Sequence, residues 1–177
     1  RIKDSTGARV TVISMGPPAA EAALKKCVSF GADEAILLTD MAFAGADTLA
    51  TTFVLMSAVR QIAKAHPVDI VFTGKQTIDG DTAQVGPGIA IRLGWELLTY
   101  VSKIRSVDTD TKRIVVERRA EGGVQVLESR LPCVMTLLEG INEMRFADMP
   151  GMFRAARYEV PHWGVAGAGI EDTSQAG

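Results

Sequence analysis

The residues with chemistry to offer cluster in one string, Gly74-Lys75-Gln76-Thr77-Ile78-Asp79-Gly80-Asp81-Thr82-Ala83-Gln84-Val85-Gly86-Pro87. Thr82 carries a hydroxyl, Gln84 an amide donor and Lys75 a cation, while Gly80 and Gly86 would let a ligand approach the backbone. That set suits a phosphate or diphosphate. Asp79 and Asp81 would repel one if they pointed inward. They are expected instead to cap the next helix, to hold the turn or to accept from ribose hydroxyls. Two plainer readings compete: an ordinary strand-to-helix turn, and a Lys75 that is only a solvated surface charge. No catalytic acid, base or nucleophile is nominated.

Position argues for the ligand loop. Val68 to Thr73 is apolar enough to be a buried strand, and Ile89 to Leu93 has helical spacing. Between a strand's carboxyl end and a helix's amino end is where α/β proteins hold phosphates, on unpaired N–H groups and the helix dipole. The upstream elements follow the same grammar. Val10 to Ser14 reads as a strand, broken by Gly16-Pro17-Pro18. A helix over Ala19 to Phe30 would share a face of Ala20, Ala23, Leu24, Cys27 and Val28, with Gly31 at its end. Ala35 to Leu38 is the next strand. Asp47 is placed to cap a helix from Thr48 to Ala65, with Phe53, Met56, Val59 and Ile62 toward the core. Pro67 stops it.

After Leu93 the pattern changes to Thr99 to Val107, Arg113 to Arg119 and Val124 to Ser129, joined by turn-forming residues and alternating in polarity. Pro132 opens another apolar strand, Cys133 to Leu138. The fold class expected is α/β: three layers, α/β/α, on a mostly parallel sheet with an antiparallel hairpin extension. Residues 1–160 are expected to form a single α/β domain and 161–177 a flexible stretch with little to pack. From Glu139 to Arg157 the pattern is irregular, with Met and Phe among charges. These either form a docking surface or cover the edge of the core.

Bulk composition narrows the class. The chain has 177 residues, 47% of them hydrophobic, and a net charge of −2. A nucleic-acid partner held by bulk charge is therefore not expected. Cys27 and Cys133 have neither metal-site nor redox-motif spacing and are expected to be reduced core residues of a cytoplasmic protein. His66 and His162 stand apart, so no metal site is expected. No apolar run has the length of a membrane span.

The Gly74–Pro87 string resembles the nucleotide loop of the electron-transfer flavoprotein β (small) subunit, and other features match that family in order. Val12 to Pro17 resembles its strand and Gly-Pro turn, and Phe30-Gly31-Ala32-Asp33 its step before the next strand. Glu117-Arg118 with Gly122-Gly123 resembles its charged hairpin, and Leu131-Pro132 the start of its late strand. Arg145 to Ala155 looks like its partner-recognition loop, with Met149 where an apolar anchor precedes the proline. The resemblance implies nucleotide contacts at Met15, Gly74, Lys75, Gln76, Asp79, Gly80, Asp81, Thr82, Gln84, Val85 and Gly86, and partner contacts at Arg145, Met149, Pro150 and Met152. It also implies an αβ heterodimer with FAD in the α subunit and a second adenine nucleotide here.

In the family's simple branch that nucleotide is a structural AMP. In its electron-bifurcating branch it is a second FAD, reduced by NADH, with electrons divided between ferredoxin or flavodoxin and, through the α-subunit FAD, an acyl-CoA dehydrogenase. The run Gly80 to Pro87 is similar to the bifurcating branch. Measured against the family, an N-terminal unit and a C-terminal arm are expected to be missing from this chain. Two rival readings are an ATP-using enzyme of the adenine-nucleotide α-hydrolase class and a nucleotide-free scaffold subunit. The first should place a donor-rich motif after the first strand, where Met15-Gly16-Pro17-Pro18 stands and proline has no N–H.

Overall fold

The apolar and alternating runs of the sequence sort into two sheets. The computed structural model describes residues 2–177. These fall into two compact units: the residues up to Gly45 together with Met144–Gly177, and Ala46–Glu143. The whole is a mixed α/β architecture, parallel within each sheet apart from one antiparallel extension.

In the first unit, helix α1 (Ile2–Thr6) precedes strand β1 (Thr11–Met15), helix α2 (Glu21–Ser29) and strand β2 (Glu34–Leu38). β1 pairs parallel with β2, Thr11 facing Glu34 and Met15 facing Leu38. β2 is the buried strand, whereas β1, at the edge, is half-buried throughout. Leu24 and Val28 form the core stripe of α2 and pack with Ala20, Ala35 and Leu37. Ala23, expected on that face, is exposed. Gly31 follows the helix with φ 111°, a conformation open to glycine.

The last part of the chain returns to this unit. Helix α5 (Met149–Arg157) occupies a segment expected to be irregular. Its start carries a local signal that the sequence reading did not use: Asp148 accepts from Gly151 N at 2.7 Å, and Pro150 sits in the first turn. Charges and small residues in between hid its period. Residues 161–177, expected to have little to pack, include a short strand and several buried side chains. Strand β8 (His162–Trp163) pairs parallel with β2, and Ala168, Ile170 and Ala176 are buried. Small residues suffice there because the backbone itself packs closely, as at Gly167 against the Trp163 side chain.

The second unit begins with helix α3 (Thr48–Ala65), within the bounds expected, its first turn capped by Asp47 Oδ1 accepting from Ala50 N at 2.8 Å. Its buried face is broader than expected. Met56 and Val59 are joined by Thr52, Val54 and Ala58, while Phe53 and Ile62 are half-buried. Strand β3 (Ile70–Gly74) leads through the loop to helix α4 (Val85–Leu93). Strands β4 (Glu96–Asp108), β5 (Arg113–Ala120), β6 (Gly123–Arg130) and β7 (Cys133–Leu137) complete a sheet of order β3-β7-β4-β5-β6. β7 is parallel to both β3 and β4, and the β4–β5–β6 portion is the antiparallel extension expected.

Of the cysteines, Cys133 is buried and Cys27 half-buried, and both are free thiols. Burial, with the Glu96 carboxylate adding to it, pushes the Cys133 thiol up to about 11. At about pH 8 that thiol stays protonated, so iodoacetamide should leave Cys133 unmodified in the native protein and label it in urea, as read by peptide mass spectrometry. Asp47→Ala should lower unfolding stability by about 1 kcal/mol, measured as a shift in urea midpoint, because the first turn of α3 loses its acceptor.

Candidate functional site

The loop after β3 is organised by its own side chains. Lys75 N–H donates to Leu137 O at 3.1 Å, which ties the loop's first residue to the end of β7. Thr77 then builds a turn: its hydroxyl accepts from Gly80 N at 3.2 Å and its carbonyl from Asp81 N at 3.1 Å. The Gln76 amide donates to the Asp81 carboxylate. Asp81 and Ala83 both take positive φ, 49° and 53°. Of the roles expected for Asp81, the structure places it in the turn. It does not cap α4, whose start is Gln84 and carries no side-chain cap.

Gln84 and Gly86 each have a packing role that the sequence did not announce. Gln84 Oε1 accepts from the Thr48 hydroxyl at 3.0 Å, joining the starts of α3 and α4. Gly86 is buried. A Cβ there would lie 2.5 Å from Thr136 Cγ2 and 2.7 Å from Thr73 Oγ1, so glycine allows the close approach of α4 to β3 and β7. Gly88 does the same toward α3, where a Cβ would lie 2.6 Å from Thr52 Cγ2. Asp79, Gly80 and Thr82 are exposed on the loop, and Val85 opens α4 half-buried. Pro87 removes one N–H from the helix's first turn.

A groove of about 970 Å³ runs along the carboxyl ends of β3 and β7. Its walls include Gly74, Lys75, Gln76 and Thr77 from the loop, Arg119 from β5 and Gly140 beyond β7. The groove thus gathers the first half of the expected site and leaves Thr82, Gln84 and Gly86 outside its wall. Sequence reading missed Arg119, which lies on a different strand and reaches the groove only through sheet order. Two cations, set against the single carboxylate Glu139, leave the wall net positive and with its open glycine backbone suit an anionic phosphate, and the exposed apolar groups Phe72 and Ile78, also on its wall, suit a planar ring. On those grounds the residues present fit a phosphate-bearing aromatic ligand such as an adenine nucleotide or a flavin. Among the described residues no group of His, Cys, Asp and Glu could hold a metal ion.

Met15 belongs to the first unit, at the end of β1. The residues expected to meet a partner lie there too. Arg145 is paired with Asp4 at 2.5 Å, and the guanidinium holds the Asp4 carboxyl below its ordinary value. Met149, Pro150 and Met152 fall on or beside α5, and Met144, Phe146 and Phe153 are exposed with them, Phe146 to 97%. These side chains do not cover the core. A second groove of about 380 Å³ lies between the end of α2 and this segment, with Phe30, Arg145, Phe146 and Pro150 on its walls.

A mixed α/β chain with a glycine-bearing loop and a groove at a strand's carboxyl end is the class of protein defined by this fold. The chain belongs to the electron transfer flavoprotein domain family, whose model matches residues 1–167. It is 63% identical to Protein FixA of Azotobacter vinelandii over 177 residues, which is 100% of this chain and 63% of that protein. It is 59% identical to Protein FixA of Azorhizobium caulinodans over 177 residues, covering 99% of this chain and 63% of that protein. The electron transfer flavoprotein subunit beta of Clostridium acetobutylicum is 48% identical over 163 residues, 92% of this chain and 60% of that protein. The chain therefore spans less than two thirds of the length of these curated relatives.

Gly86→Ala should destabilise the protein by about 1–3 kcal/mol through overpacking against Thr136 and Thr73, read as a lowered urea midpoint. Adding Thr136→Ser to that variant should recover part of the loss, because it removes the methyl group at the nearer contact.

Proposed function

We propose that this chain serves as the β-type subunit of an αβ electron transfer flavoprotein, with an adenine nucleotide in the groove beyond β3. The observation that carries the reading is the Gly74–Pro87 loop. It stands on a parallel sheet, beside a groove whose wall carries two cations, one carboxylate and several apolar groups, in a chain similar over nearly its whole length to flavoprotein β subunits. The loop's run from Gly80 to Pro87 favours FAD over AMP and so the bifurcating branch. A flavin would supply hydride acceptance and one-electron release. The chain's own residues would bind and orient it: Lys75 and Arg119 toward the phosphates, Phe72 and Ile78 against a ring, and the Thr77 turn holding the loop in shape.

NADH is the electron donor in this reading. An α-type subunit with its own FAD, an acyl-CoA dehydrogenase and a ferredoxin or flavodoxin are the partners, in the cytoplasm. The exposed Met149 and Met152 with Pro150 and Arg145 would form the partner face. No helix among the described residues is long and apolar enough to cross a membrane. The ATP-using alternative draws no support from the turn after β1, where Pro17 and Pro18 lack N–H groups and Gly16 N donates to Leu38 O at 3.0 Å.

The test is nucleotide content. The full-length protein purified with its α-type partner should release two FAD per heterodimer on denaturation, measured by chromatography. One FAD and one AMP would overturn the bifurcating reading and keep the simple β-subunit role. Absence of any nucleotide beyond the α-subunit FAD would overturn the binding role of the groove.

A further inference from the structure

Tyr100 holds a conformation that few bulky residues adopt. Its φ is 56°, in the left-handed region. It sits where β4 departs from regular pairing: Leu98 faces Met135 and Val101 faces Leu137, so β4 carries one extra residue. Its N–H donates to the buried Thr136 hydroxyl at 3.0 Å, which fixes the irregular backbone from the neighbouring strand. Such a bulge re-aims a side chain. Here the ring is partly exposed, and Lys75 Nζ lies 5.7 Å from its centroid. Lys75 is at the same time a wall of the groove beyond β3. Glycine or asparagine would take this backbone conformation at lower cost. What tyrosine adds is an aromatic face beneath a lysine.

We propose that Tyr100 is a positioning residue for the groove: its ring holds the Lys75 ammonium at the groove wall, where that cation meets the phosphate of an adenine nucleotide. The inference rests on the nucleotide reading above and adds to it the residue that orders the cation. A ring quadrupole attracts an ammonium without neutralising it, unlike a carboxylate, so Lys75 keeps its full charge for the ligand. A long lysine side chain loses rotamer freedom when it is fixed, and contact with the ring removes part of that freedom before the ligand arrives. The tyrosine hydroxyl has no part in this role, so phenylalanine should replace it.

The test is equilibrium binding of AMP and of adenosine, by calorimetry, to the full-length αβ complex stripped of nucleotide. Tyr100→Phe should bind AMP like the parent. Tyr100→Leu should weaken AMP by about two- to fivefold, the range for an exposed cation–π contact, and leave adenosine, which lacks the phosphate, unchanged. Lys75→Met should weaken AMP by roughly tenfold, as for loss of a charge-assisted hydrogen bond. The double variant Tyr100→Leu/Lys75→Met should be no weaker than Lys75→Met alone. Tyr100→Asn tolerates the positive φ and lacks the ring, so it stands in if Tyr100→Leu fails to fold.

Equal losses for AMP and adenosine would make Tyr100 merely structural and overturn the proposal, as would an unchanged AMP affinity or losses that multiply in the double variant. Failure of the parent complex to bind AMP or FAD would overturn the nucleotide reading itself, a result distinct from any difference among the variants.

Discussion

The second unit is organised around one buried strand. β7 is hydrogen-bonded on both sides, parallel to β3 and to β4, and its Cys133, Val134, Met135 and Thr136 are all buried. Thr136 is the polar exception in an apolar run, and a buried hydroxyl needs a partner. It finds one in the Tyr100 N–H, and its methyl group sets how closely α4 can approach at Gly86. A single side chain therefore fixes the bulge of β4 and the seat of α4. The loop between β3 and α4 has its two ends set by this strand, one through Lys75 N–H on Leu137 O and the other through Gly86.

The first unit uses a different device. Arg154 on α5 donates to Val28 O at 2.8 Å, in the last turn of α2, and to Ala32 O at 3.1 Å, in the turn that follows that helix. A cation there also meets the negative end of the helix dipole. Tyr158 adds a second tie, its hydroxyl accepting from Ala35 N at 3.0 Å on β2. Two segments far apart in sequence thus share a core of Leu24, Val28, Leu37, Ala155 and Val160.

Elements with strong local signals were legible from the residues alone. The span Thr48–Ala65 is long, periodic and capped by Asp47, and it folds within the expected bounds. The alternating strands of the antiparallel extension were equally plain, because one face is wetter than the other. What was hidden depends on spatial neighbours. Gly86 looked like an open glycine, and only the packing of α4 on Thr136 gives it a packing role. Arg119 and Tyr100 come to the loop through strand order and a bulge, neither of which leaves a mark in local spacing. Helix α5 and the packed stretch after it carry too few large apolar residues to show a period, and they are built instead on capping and on small residues at close range.

The anchoring of α5 has a consequence for the side chains it displays. Met149, Met152 and Phe153 stand exposed on a helix whose backbone is already fixed by Asp148 at one end and whose Arg154 is committed to α2. Ordering a residue's backbone costs about 1–2 kcal/mol, and for these nine residues that cost is met when the chain folds. A molecule meeting this face would have only side-chain rotamers left to freeze. Methionine, unbranched and polarizable, is the side chain best able to adapt its shape while the scaffold beneath it stays still.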